Sequence, residues 1–162
     1  MTTMLDTLKR RLVDEEGWRN HVYTDTLGHP TIGVGFNLDR DDAHVCLANV
    51  NANYEHVRNG TSDLSNDQVS ELLDNCIAVC ETELLHVHPS YDTYPEPVQI
   101  VLLDMLFNMG LGVFVTFKHM HEAVRASDWV RAAREMLAST WAVQVPTRAH
   151  ALAELMESAK ES

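Results

Sequence analysis

The chain has 162 residues, 45% of them hydrophobic, and sets 24 acidic side chains against 12 basic ones for a formal charge of −12. That is enough apolar material for one compact domain or two small lobes sharing a core. The acidity argues against a nucleic-acid partner, which needs a basic surface, and no apolar run reaches the ~18 residues of a membrane span.

The start, Met1 to Asp6, shows neither the charged nor the apolar segment of a secretory signal, so a cytoplasmic origin is expected. Leu5, Leu8, Leu12 and Val13 lie on one helical face, and Gly17 stands where a left-handed residue ends the helix. Glu16 therefore falls at a helix C-terminus, where the carbonyl ends disfavour negative charge. Such a setting favours the protonated carboxyl and suits a general acid. His21–Thr24 and Thr31–Phe36 alternate with period two and include β-branched residues, which predicts two or three short strands. Between them Asp25 precedes a turn rich in Gly28 and Pro30, near the hairpin tip and closer to water. Two carboxylates in unequal surroundings, with the Thr31 hydroxyl on the returning strand, match what glycoside hydrolysis requires. Gly33 and Gly35 leave one face of that strand bare, open to close approach of backbone or sugar.

Asp39-Arg40-Asp41-Asp42 opens a short helix to about Val50, and Asn51 to Thr61 is expected to be a surface loop. Ser65-Asn66-Asp67-Gln68 is a capping box at the head of a long helix running to about Val87. Its apolar face is Val69, Leu72, Leu73, Cys76, Ile77, Cys80 and Leu84. The opposite face, from Asp67 to Thr82, is polar and predicted to be exposed. Tyr94-Pro95-Glu96-Pro97 starts the next helix, whose residues from Ile100 to Phe107 are apolar nearly all round, the pattern of a buried central helix. Shorter helices follow near Phe117–Arg125, Trp129–Ala138 and Pro146–Ala159, the second capped by Ser127 or Asp128. Trp129, Trp141 and Phe107 are candidates for sugar stacking, although a Trp at helical spacing is ordinarily core. Cys46, Cys76 and Cys80 read as reduced thiols. Cys80, His86 and His88 lack the second close ligand pair of a metal centre, so no metal or other cofactor is assigned.

Three ordered blocks carry a family resemblance: Glu16-Gly17 with Tyr23-x-Asp25-x-x-Gly28 and Thr31-Ile32-Gly33-x-Gly35, then Phe107-Asn108-Met109-Gly110, then Trp141-x-x-Gln144-x-Pro146-x-Arg148. Together they resemble the bacteriophage lysozymes of glycoside hydrolase family 24 over nearly the whole chain. The resemblance implies a mainly-α, α+β fold with two lobes. Residues 17–64 would form a β-containing lobe, 65–88 a connecting helix, and 1–16 with 89–162 a helical lobe, with the substrate in the cleft between. It also implies a monomeric muramidase cutting the β-1,4 link between N-acetylmuramic acid and N-acetylglucosamine in peptidoglycan glycan strands.

On this reading Glu16 is the general acid, Asp25 and Thr31 handle the attacking water, and Phe107 and Asn108 touch substrate. Tyr23, Gln144 and Arg148 support the site, Arg148 near Glu16. An inverting mechanism, with carboxylates about 6.5–9.5 Å apart, goes with the family. A released endolysin would pass the host's inner membrane through a pore-forming (holin) partner, whereas a virion enzyme would not need one. Phe36 departs from the family, which often carries His there. The alternatives are a lytic transglycosylase, which does not need the Asp25–Thr31 water site, and a non-catalytic wall-binding or virion structural protein on the same scaffold.

Overall fold

The computed structural model describes residues 2–161, and the chain divides into two compact units. Lys9–Ala78 form one; the other joins the opening turns of the first helix to the chain from Val79 onward. Among the described residues, ten α-helices and one three-stranded antiparallel sheet give the mainly-α, α+β fold expected.

Helix α1 (Met4–Glu16) begins on a reciprocal cap in which Asp6 N donates to Thr3 Oγ1 and Thr3 N to Asp6 Oδ2, both at 3.1 Å. It stops at Gly17, whose φ of +84° needs no Cβ, and whose N–H donates to Val13 O at 2.8 Å. Strands β1 (Arg19–Thr24), β2 (Pro30–Gly33) and β3 (Phe36–Asn37) then pair in sequence order, with a bulge in β1 between Arg19 and Tyr23. Helix α2 (Ala43–Asn49) follows as expected. The predicted loop from Asn51 to Thr61, however, contains α3 (Tyr54–Arg58). The Asn53 side chain caps α3 by accepting from His56 N at 3.0 Å. One turn is too short to show an apolar period, and only that cap marks it in the sequence.

The capping box at Ser65 is formed in full: Ser65 N donates to Gln68 Oε1 at 2.8 Å and Gln68 N to Ser65 Oγ at 3.1 Å. It heads α4 (Asn66–Val87), the long helix expected. Val69, Leu72, Leu73, Ile77, Cys80 and Leu84 are buried, while Asp67, Ser70, Glu71, Asp74, Asn75 and Thr82 are exposed. Cys46, Cys76 and Cys80 are free thiols. Phe36 is buried, and the Arg40 guanidinium lies 4.7 Å from its ring centroid and 3.8 Å from Cys76 Sγ. The guanidinium thus lies on an aromatic face, a favourable cation–π placement.

The helical unit adds α5 (Glu96–Met109), α6 (Leu111–Phe114), α7 (Lys118–Arg125), α8 (Trp129–Leu137), α9 (Thr140–Gln144) and α10 (Pro146–Ser158). Helix α10 packs on α8 and α5. Val98, Val101, Leu102, Met105, Phe114, Ala132, Met136, Leu152 and Met156 are wholly buried, so α5 is the central helix that its composition predicted. Asp128 caps α8 through Arg131 N at 3.1 Å.

Two histidines stand in this core. His88 Nε2 and His121 Nδ1 are 2.8 Å apart, and the residues are 1% and 3% exposed. Burial, the neighbouring ring and Arg125 push His88 from 6.5 down to about 3, and burial also lowers His121. The unfolded chain therefore binds more protons than the folded one between those values. Stability is full above pH ~6.5 and falls as the pH drops toward His88's folded value. His88 contributes a slope approaching about 1.4 kcal/mol per pH unit, and His121 adds to it in the same direction. Denaturant unfolding between pH 5 and 6.5, where carboxylates are still largely ionised, is expected to show this loss. A flat profile there would rule it out.

Candidate active site

Glu16, Tyr23, Asp25 and Thr31 all belong to the unit that carries the sheet. Glu16 is the last residue of α1, and Gly35, between β2 and β3, is its close neighbour. A Cβ built on Gly35 would lie 3.0 Å from Glu16 Cδ, 3.1 Å from its Cβ and 3.2 Å from its Cγ. The bare strand face expected from Gly33 and Gly35 is thus, at Gly35, the seat of the glutamate side chain.

Asp25 is held by main chain alone. Its Oδ1 accepts from Leu27 N at 2.9 Å and from His29 N at 2.8 Å, and the turn closes through Asp25 N to His29 O at 2.9 Å. This orients the carboxylate plane, and among the described residues Oδ2 accepts no hydrogen bond. Thr31 is 3% exposed, and its hydroxyl donates to His29 O at 3.0 Å. With its proton so committed, Thr31 Oγ1 can only accept from a further group.

The register sets Tyr23 opposite Thr31. Partial burial raises the Tyr23 phenol above its usual range, with help from Glu16 and Asp25 and against Arg19, whose guanidinium lies 4.9 Å from the ring centroid. Tyr23 therefore stays protonated at neutral pH and feels both carboxylates at once.

The other residues singled out lie in the helical unit. Trp141 Nε1 donates to Asn108 Oδ1 at 2.7 Å, leaving the amide nitrogen of Asn108 as the donor it can offer a ligand. Phe107 is half-buried and Gln144 exposed. Trp129 and Trp141, the stacking candidates, are only 8% and 6% exposed, so both are chiefly core. Arg148 Nε donates to Asp104 Oδ1 at 2.8 Å, with the two side chains 9% and 0% exposed. Asp104 was not singled out from the sequence, though an acid inside Val101-Leu102-Leu103-Asp104-Met105 is the readable hint, because a buried carboxylate demands a cation.

A model of the phage lysozyme family matches residues 13–155. Probable T4-type lysozyme 1 of Dictyostelium discoideum is 24% identical and probable T4-type lysozyme 2 is 26% identical, each match covering 96% of this chain and 96% of the relative. The pre-baseplate central spike protein Gp5 of Enterobacteria phage T4 is 27% identical over 91% of this chain, a match that spans 26% of that protein.

Proposed function

This chain belongs to the phage lysozyme family, a family of glycosidase-type enzymes, and on that premise we propose that it is a muramidase cleaving the β-1,4 link between N-acetylmuramic acid and N-acetylglucosamine. The observation that carries the mechanism is the hydrogen-bond direction at the hairpin tip. A water between Asp25 and Thr31 meets two acceptors, Asp25 Oδ2 and Thr31 Oγ1. Donating one hydrogen to each leaves its lone pair for the anomeric carbon. As the new C–O bond forms, Asp25 takes a proton from the water, the glycosidic C–O bond breaks, and Glu16 protonates the departing oxygen. Single displacement inverts the anomeric centre, so the β-linked substrate yields an α product. Tyr23, opposite Thr31 in the register, supports the pair.

Digestion of purified peptidoglycan with mass analysis of the new ends tests this reading. Reducing ends, α-configured when first formed, are expected. Anhydro ends would mean lytic transglycosylation, and the absence of products would leave a wall-binding or virion structural role.

The place of action has two readings. One is a released endolysin that reaches the wall through a pore-forming partner. Similarity to a spike protein supports the other, a wall-cutting part of a virion. Mass spectrometry of purified virions separates them.

In either setting the charge of −12 means that attraction to an anionic wall does not drive binding. Lytic activity is therefore expected to stay level or rise from low to roughly seawater ionic strength, since salt screens repulsion. A steep fall would show that a local basic patch governs binding.

A further inference from the structure

The helical unit carries a polar chain whose proton positions follow from its inner end. His121 Nε2 lies 2.7 Å from Phe114 O, which can only accept, so that nitrogen holds the proton. With burial keeping His121 neutral, its Nδ1 accepts, and His88 Nε2 at 2.8 Å must donate to it. Neutral His88 then accepts at Nδ1 from the Tyr94 hydroxyl, 3.0 Å away. Every hydrogen bond points inward, from Tyr94 to Phe114.

Tyr94 also lines a pocket of about 440 Å³ with Ser90, Thr93, Arg125, Ser127 and Trp129, walled further by Pro89 and Pro95. Its proton is committed to His88, so toward a ligand the Tyr94 oxygen is an acceptor. Thr93 is in the same condition, because its hydroxyl donates to Ser90 O at 2.7 Å. Arg125 supplies the complement. It is exposed, carries five N–H donors, and gives one of them to Val87 O at 3.0 Å. Its charge is felt at His88, His121 and Tyr94 alike. Asp128, next along the chain, is engaged as the cap of α8.

The pocket therefore combines one cation, two oxygens that can accept from a ligand, and apolar walls from Trp129 and two prolines. A phosphodiester or a fatty acid would satisfy Arg125 and offer Tyr94 and Thr93 no donor. A neutral sugar would leave Arg125 unmatched. We propose that this pocket binds a carboxylate-bearing sugar, with its acid group on Arg125 and its hydroxyl and amide hydrogens on Tyr94 and Thr93. The choice of sugar rests on the muramidase reading. In peptidoglycan the N-acetylmuramic acid carboxylate is tied to the stem peptide, and it is free only where an amide hydrolase has removed that peptide. The pocket is thus a second glycan site that selects stripped strands.

The test is a titration of the intact chain with N-acetylmuramic acid, N-acetylglucosamine or D-alanyl-D-alanine, followed by the NMR signals of the Trp129 indole and the His88 and His121 rings. Saturable shifts are expected with N-acetylmuramic acid and not with the other two. Arg125→Gln should weaken that binding at least tenfold, and Arg125→Lys should recover part of it. Both variants lose or alter the bond to Val87 O, so melting curves check that the fold is kept. The proposal is overturned if these signals do not move, if Arg125→Gln binds as well as the parent, or if the dipeptide binds in place of the sugar. Assayed on the same samples, reducing ends without shifts would reject the pocket alone. Shifts without reducing ends would uphold the pocket and reject the muramidase reading.

Discussion

Glu16→Gln is expected to fold like the parent and to lose turnover by between about a hundredfold and ten-thousandfold, the usual worth of a general acid. The amide matches the carboxyl in shape, so the seat against Gly35 is kept while the transferable proton is removed. Asp25→Asn should fall comparably for a different reason. Asparagine Oδ1 can still accept from Leu27 N and His29 N, which preserves the turn, but an NH2 group replaces the oxygen that receives the proton of water. Initial rates on purified peptidoglycan, with circular dichroism and melting curves as the check on folding, decide both. Near-normal rates in Glu16→Gln would remove that residue from the acid role, and near-normal rates in Asp25→Asn would remove the base.

Gly35→Ala is expected to damage both stability and rate. The residue has a φ of +66°, a conformation that costs an L-residue about 1 kcal/mol or more. The added methyl would also press on three Glu16 carbons at 3.0–3.2 Å, including its Cβ, so rotation at the far end of the side chain cannot relieve the contact. Glu16 must then move by a few tenths of an ångström. Since a 1 Å misplacement in a catalytic site costs on the order of a hundredfold, a loss of roughly tenfold in kcat is expected, with KM little changed. Measuring kcat and KM beside the unfolding free energy separates the two effects. A destabilised protein with unaltered kcat would show that the seat of Glu16 does not matter to the chemistry.

The features legible in the sequence are those with a local chemical signature. The end of α1 shows in Glu16-Gly17, the start of α4 in Ser65 and Gln68, and the central helix α5 in its all-round apolar composition. Helices α3, α6 and α9 are five residues or fewer, too short for a hydrophobic period to repeat, and were not foreseen. Partners far apart in sequence are equally hard to read. Arg148 and Asp104 are separated by 44 residues, and His88 and His121 by 33. Either pair could be suspected from polar residues amid apolar ones, but only folding shows which polar groups meet. At the candidate site, residue types and order led to Glu16, Asp25 and Thr31. The direction of the Thr31 hydroxyl and the anchoring of Asp25 by two main-chain amides are set by how the hairpin folds, which residue types do not reveal.

That anchoring also says where the protein can change. The Asp25 carboxylate is oriented by the backbone N–H groups of Leu27 and His29, which every residue except proline possesses. The side chains of Thr26 and Leu27 are exposed and take no part, and His29 reaches away to Asp39 at 3.5 Å. The hairpin tip is thus a place where side chains can be exchanged without disturbing the carboxylate they surround. Natural drift or a randomised library could retune charge around the proposed base there, with the main chain holding its carboxylate in place.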